Sequence, residues 1–225
     1  MWKLILVFII DLAIFKFVGL IPGIIGLAAL VKKILDFLGF TREIKFSSLS
    51  LADGFMYLKD YEGSYKDVGK YLEEAMNIAK KFKKEQRYTL CGIYLDNPDK
   101  VQASKQRMRI GLYKKKDNNK NLKEDEDIVQ YLTEKGYKQV TVPCTKSAYA
   151  SWDYKNSFAL MQGIKKFYKT LYTNLQSSNF RNSYKLGNNI SDIFSIELYP
   201  KKDQVCFYIP TGNREAFFEN SSFKK

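Results

Sequence analysis

A chain of 225 residues that is 45% hydrophobic and 15% aromatic can build a core and is neither disordered nor low-complexity. It has no histidine, which excludes Ser-His and Cys-His nucleophile pairs and every histidine metal site; the three cysteines, Cys91, Cys144 and Cys206, have no metal-binding spacing. The net charge of +13, from 37 Lys+Arg against 24 Asp+Glu, suits anionic partners: lipid headgroups, acidic proteins or nucleic acid.

From Leu4 to Val31 the chain is apolar except for Asp11, Lys16 and Pro22. As a helix this stretch reaches about 42 Å, against about 30 Å for a hydrocarbon core, which predicts a transmembrane segment. Asp11 and Lys16 lie five residues apart, on different sides of a helix, and so call for partners in a neighbouring membrane subunit. Gly19, Gly23 and Gly26 form a small-residue face that lets another helix come close. Lys32, Lys33, Arg42 and Lys45 follow the segment, which places the rest of the chain on the cytosolic or matrix side, within reach of anionic headgroups. Beside such an anchor, lipid and acidic subunits are favoured over nucleic acid, which is not expected as a partner. Residues 34–40 continue as an interfacial helix ending at Gly39. Residues 1–40 thus form a transmembrane and interfacial anchor, followed by a linker, 41–53. The reduced, odd-numbered cysteines suit the cytosol or mitochondrial matrix.

A strand is predicted over Phe55–Lys59, then an amphipathic helix over Asp67–Lys84, with Val68, Tyr71, Leu72, Ala75, Ile78, Ala79 and Phe82 at helical spacing. Strands Tyr88–Leu95 and Arg107–Tyr113 follow, then a charged loop, Lys114–Asp127, a helix over Glu124–Lys135 ending at Gly136, and a strand over Lys138–Pro143. The order then repeats. A strand over Ser147–Tyr154 leads to a helix capped by Ser157 and running Phe158–Leu175. After a polar loop, strands Ile193–Tyr199 and Val205–Ile209 are joined by a Pro-Lys-Lys-Asp turn. Strand–helix–strand–strand occurs twice, so the fold class is α+β, with both helices on one face of a shared antiparallel sheet.

Three stretches carry a resemblance: Ile93–Pro98 (IYLDNP), Ala150–Leu171 (ASWDYKNSFALMQGIKKFYKTL) and Ile196–Pro210 (IELYPKKDQVCFYIP). Together they resemble the gyrase-inhibitor-like (GyrI-like) small-molecule-binding domains, and in particular a membrane-anchored branch typified by the testis-expressed ER-phagy receptor. The resemblance implies a GyrI-like domain over 54–212, with a cleft between the two helices, and leaves 213–225 as a short C-terminal tail. Family members bind small, often cationic, amphipathic molecules in that cleft, and some hydrolyse compounds there. The residue matching the family's Glu-x-Tyr is Glu197, with Tyr199 beside it. Strand alternation turns Glu197 away from Phe194, Ile196 and Leu198. Flanked by Tyr199, Trp152 and Tyr57, its carboxylate would hold a cation by charge and ring faces. The tail, REAFFENSSFKK, departs from the branch: it has neither the aromatic-x-x-aliphatic motif nor an acidic extension.

These observations predict a non-catalytic accessory subunit of a larger membrane complex, with no cofactor and no metal. The predicted location is the inner mitochondrial membrane ahead of the endoplasmic reticulum, with a respiratory-chain assembly as one such complex. The alternatives are an ER-membrane adaptor of the ER-phagy receptor type or a tethered small-molecule sensor. A hydrolase relying on Glu197 and Asp153 ranks below them.

Overall fold

The computed structural model describes residues 16, 24–116, 125–187, 193–212 and 214–223. Among the described residues no helix is long and apolar enough to cross a membrane. The described helical stretch α1, residues 24–37, spans about 21 Å, short of the about 30 Å of a hydrocarbon core. This overturns the expectation of a single-pass integral protein of the inner mitochondrial membrane: hydropathy alone predicted the span, and among the described residues no helix is long enough to make it. Asp11, Gly19 and Gly23 lie outside the described residues; Lys16 and Gly26 are both exposed, and nothing approaches within 4 Å of where a Gly26 Cβ would sit.

The end of α1 is fastened to the rest of the molecule. Gly39 takes φ +80°, and the Phe40 amide donates back to Leu35 O, a glycine stop of the Schellman type. Lys166 Nζ then donates to three backbone carbonyls, Gly39 O at 3.1 Å, Phe40 O at 2.7 Å and Arg42 O at 2.8 Å. A cation at a helix C-terminus meets the negative end of the dipole as well as the orphan carbonyls.

Eight antiparallel strands form one sheet: β1 (Ser47–Leu51), β2 (Gly54–Glu62), β3 (Thr89–Tyr94), β4 (Arg107–Lys115), β5 (Lys138–Val142), β6 (Thr145–Asp153), β7 (Ser195–Lys201) and β8 (Gln204–Pro210). Their order is β1-β6-β8-β7-β3-β4-β2-β5. The helices are α2 (Val68–Lys81), α3 (Glu126–Glu134), α4 (Ser157–Leu175) and the short α5 (Ser178–Ser183). Two strand–helix–strand–strand modules, β2-α2-β3-β4 and β6-α4-β7-β8, meet where β7 pairs with β3. Each module is extended at its outer edge by the strand that leads into the other: β1 pairs with β6, and β5 with β2.

This exchange curls the sheet. Strands β1 and β2 stand six places apart, about 29 Å in a flat sheet at about 4.8 Å per strand. Only Ala52 and Asp53 join them, a connection that spans at most about 11 Å. The same holds for β5 and β6, joined by Pro143 and Cys144. A flat sheet cannot satisfy either link.

One sheet face carries α2 and α4. Beneath α4, Phe167, Leu171 and Leu175 pack on Ile110, Phe207 and Ile209, and the Phe167 and Phe207 rings stack at 3.9 Å. Beneath α2 and α3, Ala75, Ile78, Ile128 and Leu132 pack on Tyr57 and Leu112. The opposite face holds Met56, Leu58, Ile93, Ile196 and Leu198, closed by Phe217 from a C-terminal 3-10 turn, Arg214–Phe218. Buried Arg109 sits on that face, ion-paired to Asp60 at 2.7 Å and donating to Phe217 O and Glu219 O. Strand β1 falls inside the stretch 41–53, α5 inside the polar loop after α4, and α4 is capped by Asn156, whose side chain accepts from Ala159 N at 2.8 Å, one residue before Ser157. Cys91 and Cys206 are buried and Cys144 is exposed.

Candidate functional site

The site grows from the alternation along β7. Ile196 and Leu198 face the Phe217 side, which turns Glu197 toward α4, where it is 1% exposed. Its Oε2 accepts from the Tyr199 hydroxyl at 2.6 Å and its Oε1 from the Tyr168 hydroxyl at 3.2 Å. Tyr94 hydroxyl is a third hydrogen-bonding phenol. Ser195 Oγ lies 2.7 Å from the Tyr168 hydroxyl.

Each group reaches the site by a different route. Tyr199 lies two residues along the same strand face. Tyr168 comes from the buried face of α4. Tyr94 ends β3, where the register sets it opposite Ser195 and sets Gly92 opposite Glu197. A Cβ at Gly92 would stand 2.9 Å from the Tyr94 ring and 3.0 Å from Ile110 Cδ1, so a side chain there would push the ring off the carboxylate. The rings form a continuous wall: Tyr65 meets Tyr94 edge-on at 5.1 Å, Tyr94 meets Tyr168 at 6.4 Å, and Tyr168 stacks on Tyr172 at 6.2 Å.

Burial pushes the Glu197 carboxyl up to about 7, against the lowering effect of the Tyr199, Tyr168 and Tyr94 hydroxyls. No cation is among the groups that shift it. Burial, together with the Glu197 charge, drives the three phenols well above their ordinary value, so they remain protonated donors.

Glu197 and Tyr199 come together as the alternation predicts, but Trp152 and Tyr57 stand elsewhere. Tyr57 is on β2, three strands or about 14 Å from β7, packed on Tyr88 beneath α2. Trp152 is on β6, two strands away; its Nε1 donates to Ala159 O at 3.0 Å, and its ring fills the space left by Gly163. Tyr94, Tyr168 and Ser195 were not singled out from sequence. Tyr168 sits in an apolar helical stripe and reads as core; only its position facing Glu197 separates it from its neighbours. The IYLDNP stretch ends β3 in a braced turn: Asp96 accepts from Arg107 N at 2.7 Å, Nε at 3.0 Å and Nη2 at 2.6 Å. Among the described residues no group of acidic or cysteine side chains is arranged to hold a metal ion.

No protein-family model and no curated protein matches the chain. Among solved structures, SAV2435 bound to tetraphenylphosphonium is 12% identical, with a TM-score of 0.47 over 76% of this chain and 96% of that one. An integron cassette protein of Vibrio cholerae, VCH_CASS2, is 10% identical (TM-score 0.46, 75% and 97% covered), and the EcmrR C-terminal domain is 11% identical (TM-score 0.43, 74% and 96% covered). Likeness at this level carries nothing about ligand or activity, and it gives no support to a membrane-anchored branch. What stands from the resemblance is read from this chain alone: paired strand–helix–strand–strand modules in an α+β arrangement of the kind that the resemblance implies, with a buried Glu197 and its Tyr199 on the helix side of the central strands.

Proposed function

We propose that this chain is a non-catalytic small-molecule-binding protein that takes a lipophilic organic cation against Glu197, between α2 and α4. One observation carries the reading: a carboxylate 1% exposed, met by three phenols and by no cation. Ionising such a group away from water is costly, and a cation against the ring faces would offset that cost by charge and by cation–π attraction. Asp153, the second acid of a hydrolase reading, is exposed on β6 with its Oδ1 held by Gln204 Nε2 at 2.9 Å, away from Glu197. Titration calorimetry with tetraphenylphosphonium and tetrabutylammonium tests the proposal. Saturable binding weakened about tenfold or more by Glu197→Gln, at least about 1.4 kcal/mol, is expected. Absence of binding to either cation, or an unchanged affinity in the variant, would overturn it.

A second reading, an accessory subunit of a protein assembly, is favoured by one feature. The helical stretch 24–37 exposes Ile24, Ile25, Leu27, Leu30, Ile34 and Phe37, and this surface continues through Phe40, whose ring meets exposed Phe158 of α4. Native mass spectrometry from the source cell decides it: a lone 26.2 kDa species speaks against the assembly. An adaptor role of the ER-phagy receptor type finds no support in the described residues.

A further inference from the structure

Glu197 is sealed, and the rings above it touch one another, so a ligand reaches it only if some element moves. The elements around it differ in how firmly they are held. Strands β3 and β7 are the central pair of the sheet. Helix α4 buries Phe167, Tyr168, Leu171 and Leu175 along its length. The segment between β2 and α2 is held otherwise. Its 3-10 turn, Tyr65–Asp67, has no fully buried residue. It begins at Gly63, which takes φ +148° with nothing within 4 Å of a notional Cβ. This is backbone that glycine adopts freely and other residues rarely do.

Apart from the Tyr65 ring, which packs on the core edge, what ties this segment down is polar and converges on one turn. The Tyr65 hydroxyl lies 3.2 Å from Asp96 O and 3.0 Å from Arg107 O, and accepts from Asp96 N at 3.0 Å. With one proton it serves one of those carbonyls at a time. The Tyr65 amide donates to Gln106 Oε1 at 3.1 Å, and the Gly63 amide to Gln106 O at 2.8 Å. The receiving side is rigid. Asp96 is clamped by Arg107, and Gln106 Nε2 donates to Pro98 O at 3.3 Å and Val101 O at 3.1 Å. A braced frame thus faces a lightly attached strap, and the strap carries the ring that leans edge-on against Tyr94.

We propose that residues 63–67 form a lid over the Glu197 cleft, hinged at Gly63 and latched by the Tyr65 hydroxyl onto the Asp96–Arg107 turn. The lid rests on the cation-binding reading for its purpose, but its motion is measurable without a ligand. Opening frees the Gly63 and Tyr65 amides and moves the outermost ring of the wall away from Tyr94, while Tyr168, Tyr199 and Glu197 keep their places. Tyr65→Phe keeps the ring and removes the latch.

The decisive experiment is amide hydrogen exchange on the full ligand-free chain, with stopped-flow binding of tetraphenylphosphonium alongside. The Gly63 and Tyr65 amides are expected to exchange at least about a hundredfold faster than that of Ile93 in β3, and Tyr65→Phe to speed them about tenfold more without touching α4. Exchange as slow as in β3, or no response to Tyr65→Phe, overturns the lid. In the binding arm the variant is expected to raise association and dissociation rates together about fivefold, with the Kd within about threefold of wild type. Binding with unchanged rates overturns the lid and leaves the cation site standing. No binding by the wild type removes the cation reading, and the exchange result still decides the lid. Gly63→Ala, which strains the closed hinge, is a second variant expected to speed exchange in the same direction.

Discussion

Two carboxylates, half-buried Asp60 and fully buried Glu197, stand on opposite faces of the same sheet, and their surroundings drive them in opposite directions. Asp60, on the Phe217 face, pairs with buried Arg109 and accepts from Ser222 N at 2.5 Å, Ser222 Oγ at 2.8 Å and Ser221 Oγ at 3.2 Å. Burial pushes its carboxyl up, but the Ser222 hydrogen bonds and Arg109 outweigh it and hold the group below the ordinary value. Glu197, on the helix face, has phenols and no cation, and rises to about 7. Asp60 is less deeply buried, and the Ser222 hydrogen bonds with Arg109 beside them outweigh that burial, whereas full burial at Glu197 outweighs its three phenols. Asp60 is complete and works as a latch for the C-terminal segment; Glu197 lacks a counter-charge, which is what a binding site needs.

The largest expected effect comes from breaking the completed pair. Asp60→Ala leaves Arg109 buried with its charge unanswered, and a loss of about 3–5 kcal/mol in urea-unfolding stability is expected, with the C-terminal segment released to proteolysis. A loss under about 1 kcal/mol would mean that Arg109 finds water or another partner.

Glu197→Gln tests the opposite sign. A carboxyl raised to about 7 in the folded state, against about 4.3 unfolded, contributes stability that is full at low pH and is lost as pH rises through about 7. The variant is expected to match wild type below about pH 4 and to exceed it by about 3–4 kcal/mol at pH 8. Equal pH profiles would show that the carboxylate is already compensated. By the same linkage, cation affinity in the wild type strengthens as pH rises through about 7 and levels off above it.

A smaller change sharpens the comparison. Tyr199→Phe removes the 2.6 Å donor to Glu197, and a cost of about 1–2 kcal/mol is expected at pH 8 with a smaller one at pH 5, because the lost bond favours the ionised form. A cost independent of pH would assign Tyr199 to packing alone. The smallest effect belongs to a site remote from both acids. Lys166→Met removes three hydrogen bonds to the α1 terminus and is expected to cost about 1 kcal/mol, raising exchange at Gly39 and Phe40 while leaving cation affinity unchanged.

Much of the secondary structure was legible because periodicity is a local signal. The stripes of α2 and α4 and the alternation on β7 appear in the sequence at their observed positions, and that alternation alone turns Glu197 away from Ile196 and Leu198. Strand β1 was not legible: SSLSL, four of its five residues exposed, lacks the apolar content that marks a strand, and it forms because β6 offers an edge. The predicted span has the converse reason, since apolar composition measures affinity for an apolar environment and does not by itself set helix length; among the described residues no helix is long enough to cross a membrane.

The residues alone determined that helices α2 and α4 bury one stripe each, that Glu197 and Tyr199 share a strand face, and that histidine chemistry is impossible, since each depends only on neighbours in the chain or on composition. Tertiary structure decided which tyrosines meet Glu197. Tyr94 and Tyr168 reach it from β3 and α4 through strand order and register, whereas Tyr57 and Trp152, equally aromatic, are carried three and two strands away. It also decided the direction in which each acid shifts: Ser222 and Arg109 come to Asp60, and Glu197 is fully buried under α4, through pairings between segments distant in the chain.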